Sequence, residues 1–425
     1  MLIELGIENF RSIKNKITLS MVATTDKSLE NNLIQDILTK NILLKSAAIY
    51  GANASGKSNV IMSLNFLKYL VTNSHKFQRD GQIPFFPFKF NEEKKPTKIE
   101  VVFIQNKIRY HYSLSFDNEK IIEEFLYYWP KKTKKMIFQR KNTNEYEFGT
   151  DKKLQTAIKD RTLPNVLYLS KATQDACEKT AEAFKWFNEQ LSTLMAGGEG
   201  AEFQLYTKTR DLIEKDEEMK KLLIKILQNA DFGIENLSVT ANKLELDSIL
   251  RAGYINPNLK MAIYNHVQKN PTASIESVEV NVIRKGVLFN LENEESEGTK
   301  RIFSLLGPWI HTLKNGNTLI IDELEIKLHP LLCRYLIKLF HDPQINTKSA
   351  QLIFTTHNTQ LLDQELFRRD QIWFTEKNPE TNNTSLYSLT EFSPRKDKSL
   401  ERGYLSGKYG GLPFINEATL DETKL

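Results

Sequence analysis

The stretch Gly51-Ala52-Asn53-Ala54-Ser55-Gly56-Lys57-Ser58 decides the fold. It reads G-x-x-x-x-G-K-S, and its flanks suit the pattern. Residues 45–50 before it are short, largely apolar and bounded like a buried strand. Residues 59–71 after it carry Ile61, Leu64, Phe66, Leu67 and Leu70 at helical spacing. Gly51 and Gly56 let the backbone curl so that successive N–H groups and a helix N-terminus face a polyphosphate. Lys57 then reaches the outer phosphates. Ser58 offers its hydroxyl to a Mg2+ held mainly by those phosphates and by water. Asn53, Ala54, Ser55 and Asn59 complete the cradle. The expected cofactors are ATP and Mg2+.

Composition sets the bounds. At 425 residues the chain has room for one large domain or two to three ordinary ones. Its 40% hydrophobic and 26% charged content is that of a soluble globular protein. Lys and Arg (58) exceed Asp and Glu (53) by only +5, too little to argue for a nucleic-acid partner from net charge. Cys177 and Cys333 cannot build a disulfide framework or a zinc site and read as buried reduced thiols. Acidic residues interrupt the apolar N-terminus, so no signal peptide is expected. No apolar run reaches the roughly 18 residues that suggest a membrane span. A cytoplasmic protein without membrane contact is the expectation.

Along the chain, residues 2–10 alternate as a first strand, and 13–19 follow a turn as its partner. From 85 to 129 the pattern is period two: Ile108, Tyr110, Tyr112, Leu114 and Phe116 alternate with polar residues, and 99–104 and 121–128 flank them as an antiparallel meander. The basic run at 131–135 reads as a hairpin turn. Residues 166–169 look like a strand, with Gln174 shortly beyond. From there to about 230 the chain reads as helical, broken at 197–200. Residues 278–282 and 287–291 look like strands returning to the main sheet. Ser296 then opens a helix, 318–321 form a buried strand ending in Asp322-Glu323, 351–355 form another, and His357 stands just beyond it.

That acidic strand end is what a phosphate loop needs as its second motif. Asp322 would orient the Mg2+ shell, and Glu323 would polarise the water attacking the γ-phosphate. Ser296-Glu297-Gly298-Thr299 supplies a hydroxyl, a glycine and free N–H groups at a helix start, an arrangement suited to an anion. On this reading Ser296 and Gly298 cap the γ-phosphate of ATP held by a second copy, and His357 senses that phosphate. Catalysis would rest on Glu323, His357 and Lys57.

The order of these motifs resembles the ATPase heads of the ABC class, specifically their SMC, Rad50 and RecF branch. The opening Ile7-Glu8-Asn9-Phe10-Arg11-Ser12, Asn53 in the loop, the abbreviated signature at Ser296 and the histidine at 357 carry that likeness. The resemblance implies that Arg11 approaches the phosphates and that Gln174 links the metal site to a helical insertion. Within the branch the chain is similar to compact bacterial AAA-labelled ATPases of the RloA and OLD-like kind, which include ATPase subunits of phage-defence systems such as PARIS. Pro87-Phe88-Lys89-Phe90, Leu328-His329-Pro330 and the segment Gly403-Tyr404-Leu405-Ser406-Gly407-Lys408-Tyr409-Gly410 carry this closer likeness. The fold implied is an α/β P-loop NTPase of ABC/SMC head type with an antiparallel β subdomain and a helical insertion. It places one ATPase lobe at 1–174, the insertion at 175–275 and the second lobe at 276–425.

The interval between Gln174 and Ser296 is far too short for Rad50-like arms. No nuclease acids of the kind OLD proteins append are present, so no nuclease activity is expected in this chain. The function implied is a regulated ATPase that forms a homodimer or larger assembly around ATP and controls a separate effector protein, a nuclease or toxin, in antiphage defence. The alternative is a RecF-like repair ATPase whose closed heads grip DNA, with affinity that falls steeply with salt.

Overall fold

A computed structural model describes residues 1–35, 42–91, 93–195, 201–230, 232–244, 261, 264–265, 275–392, 394 and 399–412. The chain divides into two units, Met1–Gly198 with His311–Leu425, and Glu199–Ile310. The break expected at 197–200 lies outside the described residues.

Two large sheets build the first unit, beside a two-stranded one of Leu33–Gln35 and Ile42–Leu44. The larger runs in the order Glu145–Phe148, Lys135–Lys141, Ile121–Trp129, Ile108–Phe116, Thr97–Gln105, Leu2–Glu8, Ile17–Ser20, with every neighbouring pair antiparallel. Short hairpins account for most of this order, because strands that follow one another in the chain lie side by side. The basic run turns between two of these strands, as expected. The partner of the first strand starts later than the expected 13–19, at Ile17, because residues 9–14 form a tight turn closed by a Phe10–Ile13 bridge.

The second sheet runs Leu191–Leu194, Thr318–Ile321, Gln351–Thr355, Ser46–Gly51, Ile372–Lys377, Thr384–Ser388. Its first five strands are parallel, and only the last pair is antiparallel. Covered on both faces, such strands read as unbroken apolar runs rather than as alternation; all six residues of Ser46–Gly51 are buried. The helix Lys57–Asn73 buries Val60, Ile61, Leu64, Leu67, Leu70 and Val71, a single stripe at helical spacing. One apolar cluster joins that stripe to Leu5, Ile99, Val101 and Tyr112 of the antiparallel sheet and to Ile49, Ile320 and Ile353 of the parallel one. Buried Gln351 ties the sheets at a polar joint: its Oε1 accepts from the Leu2 N–H at 2.6 Å, and its Nε2 donates to Leu2 O and Leu44 O at 3.0 and 3.1 Å.

Three expectations are corrected. Residues 166–169 are not a strand, for Tyr168–Gln174 is a helix. Its N-terminal amides are captured by a side chain from another element: Glu124, fully buried on Ile121–Trp129, accepts from Tyr168 N–H at 2.6 Å, Leu169 N–H at 2.9 Å and Tyr112 Oη at 2.9 Å. Arg140, equally buried, lies 3.9 Å from Glu124 and donates to the carbonyls of Thr143, Val166 and Pro164. Burial lifts the Glu124 carboxyl above its ordinary range, while Arg140 and the three donors pull it back. Second, Leu191–Leu194 interrupts the helical stretch as a strand of the parallel sheet, paired with Thr318–Ile321.

Third, the strands near 278 and 287 do not return to the main sheet. Ile275–Arg284 and Val287–Asn290 pair with Asn236–Leu244 in a separate three-stranded sheet within the second unit. That unit therefore holds strands as well as the helices Ala201–Lys215 and Glu217–Asn229.

Candidate nucleotide site

In a parallel sheet every strand points its carboxyl end to the same edge, where α/β folds bind their ligands. Register makes this concrete: Ile321 pairs with Phe354, Thr355 with Ile49, and Gly51 with Thr375. The exits leading to Asp322, His357 and the glycine loop therefore stand side by side.

The loop's backbone needs its glycines. Gly51 sits at φ 151° and Gly56 at φ 107°, and a Cβ on either would come within 2.4 Å of a hydroxyl, Thr375 Oγ1 or Thr384 Oγ1. Those hydroxyls belong to a clamp around the loop. Ser55 Oγ lies 2.6 Å from Thr375 Oγ1, and Thr384 Oγ1 lies 2.8 Å from both Ser55 O and Ser12 Oγ. Asn59 Nδ2 donates to Ser12 Oγ at 2.7 Å. Asn53 and Ala54 form the exposed tip, Ala54 at φ 62°.

Lys57 is buried and folded onto its own loop, donating to Gly51 O at 2.9 Å and Ala52 O at 3.0 Å. Burial lowers its ammonium pKa to about 8, against the raising fields of Glu323, Glu325 and Asp322. Ser58 Oγ donates to Asp322 Oδ1 at 3.0 Å, and Thr355 Oγ1 donates to the same oxygen at 2.6 Å. The Thr355 hydroxyl also accepts the Glu323 N–H at 2.8 Å, which pins Glu323 in a left-handed backbone, φ 52°. His357 is exposed at the same edge. Its imidazole pKa is lowered, first by desolvation and then by Lys57, and partly restored by the three acids. Its backbone N–H donates to Glu325 Oε1.

A hydroxyl and a carboxylate held together beside a phosphate loop are hard oxygen donors of the kind Mg2+ takes along with phosphate oxygens and water. Ser58 and Asp322 fit that role as two ligands of a shared ion. Among the described residues no group of three His, Cys, Asp or Glu could hold a metal alone.

The remaining sequence candidates have other partners. Arg11 is exposed at φ 52°, its guanidinium 4.9 Å over the Phe86 ring. Gln174, singled out by its distance from a strand that does not exist, ends the helix Tyr168–Gln174, is exposed, and accepts from Lys171 Nζ at 3.3 Å. Ser296 belongs to the second unit. There its Oγ accepts from Thr299 N–H at 3.2 Å as the N-cap of Glu297–Asn315, with Gly298 in that helix's first turn.

The C-terminal glycine segment acquires an explanation. It starts in the last turn of the helix Leu400–Leu405, and it packs beside the loop strand. Tyr404 stacks on Phe374 (5.5 Å, 18°) and meets Tyr50 edge-on at 6.2 Å, while Tyr409 also stacks on Phe374, at 5.9 Å. Thr359, two residues beyond His357, donates to Glu401 of the same helix at 2.8 Å.

Sequence reasoning misses Ser12 as a loop contact, Thr355, Thr375, Thr384 and Glu325. The hydroxyls carry no spacing signal, because strand pairing alone brings them to the loop. Glu325 has one: it stands two residues past Glu323 in the same acidic run.

The chain is similar to the SMC head domain from Thermotoga maritima (14% identity, TM-score 0.40, 91% of this chain and 98% of that one). It is similar to the Smc head domain with an extended coiled coil bound to the C-terminal domain of ScpA from Pyrococcus furiosus (12%, 0.40, 96% and 98%). It is also similar to the ATP-bound recombination mediator RecF (13%, 0.38, 91% and 99%). No curated protein matches the sequence. A family profile matches residues 46–363, three quarters of the chain, and the protein therefore belongs to the P-loop ATPase family described as "AAA domain, putative AbiEii toxin, Type IV TA system".

Proposed function

We propose that this chain binds Mg-ATP and hydrolyses it, closes on ATP into a dimer or larger assembly of its own copies, and thereby controls a separate effector protein. One observation carries the reading: Ser58 Oγ and Asp322 Oδ1 lie 3.0 Å apart, from elements 264 residues apart in sequence, beside a glycine loop whose lysine donates to the loop's own carbonyls. Bound Mg2+ would supply charge neutralisation for the phosphates.

The residues divide the work. Asn53 to Ser58 and Asn59 cradle the phosphates, and Lys57 leaves the Gly51 and Ala52 carbonyls for the outer phosphates when nucleotide arrives. Glu323, held by Thr355, orients and deprotonates the attacking water. His357, whose lowered pKa favours the neutral ring, contacts the terminal phosphate. Arg11 stands by the loop through its neighbour Ser12. Ser296 and Gly298 cap the nucleotide of the other copy, supported by the exposed helix N-terminus they form. Gln174 loses the strand argument that selected it and is given no metal role. Output through a distinct toxin or nuclease in defence fits a family whose description names a toxin system.

The test is size and turnover together. Glu323→Gln should bind ATP, hydrolyse it at least about a hundredfold more slowly, the range typical of losing a general base, and accumulate as an ATP-dependent dimer by light scattering. Wild-type protein that turns over as a strict monomer, with Ser296→Ala unchanged, removes the shared-nucleotide reading. Normal turnover in Glu323→Gln removes the base assignment.

A further inference from the structure

The geometry points to Glu325 as a positioning residue for the switch histidine: its carboxylate holds the His357 backbone and so sets where the His357 ring meets the terminal phosphate. This rests on the ATPase reading above.

Glu325 lies in the turn between the strand Thr318–Ile321 and the helix Pro330–His341. Nothing in that turn requires a carboxylate, because Ile326 N–H to Glu323 O and Leu328 N–H to Glu325 O close its own backbone, and Leu324 N–H bonds Thr355 O of the neighbouring strand. The side chain instead crosses to the neighbouring strand exit, where Oε1 accepts the His357 N–H. Without that acceptor the N–H lacks a strand partner, since the ladder of Gln351–Thr355 has already ended. The contact extends the joint that Thr355 makes with Asp322, Glu323 and Leu324 out to the histidine.

A second observation sets Glu325 apart from an ordinary loop cap. Its Oε2 is buried and has no hydrogen-bond partner among the described residues. A buried carboxylate oxygen left unpaired is costly and is rare in folded proteins. Its field falls on His357 and on Lys57 alike, the two groups assigned above to the outer phosphates. A residue kept for packing alone would gain from being apolar here. The carboxylate instead holds a backbone donor, the His357 N–H, whose position matters to the chemistry.

The experiment measures steady-state ATP hydrolysis by wild type, Glu325→Ala, Glu325→Gln, His357→Ala and the Glu325→Ala/His357→Ala double variant, with Glu323→Gln as reference. A displacement of about 1 Å in a catalytic group costs on the order of a hundredfold, so Glu325→Ala should lose tenfold to a hundredfold in kcat, roughly, with KM changed by less than about threefold. Glu325→Gln keeps an acceptor oxygen and should recover most of that loss. The double variant should be no slower than His357→Ala alone, because both changes remove one contact. Should Glu325→Ala fail to fold, Glu325→Asp withdraws the acceptor by one methylene and serves the same comparison. Full kcat in Glu325→Ala, or losses that multiply in the double variant, overturns the proposal while leaving the ATPase reading intact. Absence of hydrolysis in wild type, or normal hydrolysis by Glu323→Gln, overturns that reading and this proposal with it.

Discussion

Replacing Thr355 by Val changes one hydroxyl for one methyl at a fully buried position and should unseat the acidic strand end. The shape is kept, so the cost comes from hydrogen bonds alone. Asp322 loses its donor at 2.6 Å and keeps Ser58 at 3.0 Å. The Glu323 N–H loses its acceptor at 2.8 Å. A bond to a charged group is worth roughly 1.5–3 kcal/mol, and an orphaned buried group costs about 1–3 kcal/mol. Relaxation of the exposed side of the turn returns part of this. A net loss of about 3 kcal/mol is expected, together with a fall in kcat, because that bond helps hold Glu323 at φ 52°. Urea unfolding followed by tryptophan fluorescence measures the first, and phosphate release measures the second. Thr355→Ser restores the hydroxyl and should restore both, at the smaller cost of one buried methyl. A Val variant within about 0.5 kcal/mol of wild type, the usual range of surface substitutions, and with normal turnover, would refute the claim that this hydroxyl organises the site.

Two further outcomes follow from buried polar groups. Glu124→Ala strands the Arg140 guanidinium and removes the acceptor of three donors, so it should cost about 3–5 kcal/mol and should speed amide exchange in the helix Tyr168–Gln174 before other elements of the unit. Urea unfolding and hydrogen exchange of the variant check the two parts. His341 is buried against Ser46, whose Oγ lies 2.7 Å from Nε2; burial, then Lys45 and Lys338, lowers its pKa to about 3. The unfolded chain binds this proton near pH 6.5 and the folded chain does not. Stability should therefore fall as pH drops from 6.5 towards 3, by up to about 1.4 kcal/mol per pH unit from this group. His341→Gln should flatten that slope in thermal melts across the window.

Much of the site is legible before the fold. The glycine loop, its lysine and its serine are contiguous, so their chemistry is written in a few neighbouring residues. Asp322-Glu323 and His357 are legible for a related reason, since each closely follows a short apolar run, and in a parallel sheet such runs end at one edge. The meander at 99–128 declares itself by alternation. The errors have a shared cause. Residues 166–169 are apolar enough for a strand, and what draws them into a helix is a carboxylate far earlier in the chain, Glu124, that no local pattern announces. Alternation marks Ile275–Arg284 and Val287–Asn290 as strands but leaves their sheet open, because periodicity reports which face is buried and says nothing about against what.

By itself, then, the sequence determined a phosphate loop, an acidic strand end, a histidine beyond a strand, and an α/β chain. These depend on residue type and on spacing within one turn or one strand. The tertiary structure alone decided which hydroxyls clamp the loop, that Thr355 holds Glu323, that Glu325 crosses to His357, and that the C-terminal glycine segment packs on Tyr50 and Phe374. Those contacts join residues that are mostly far apart in the chain, and only strand order and register bring them within hydrogen-bonding reach.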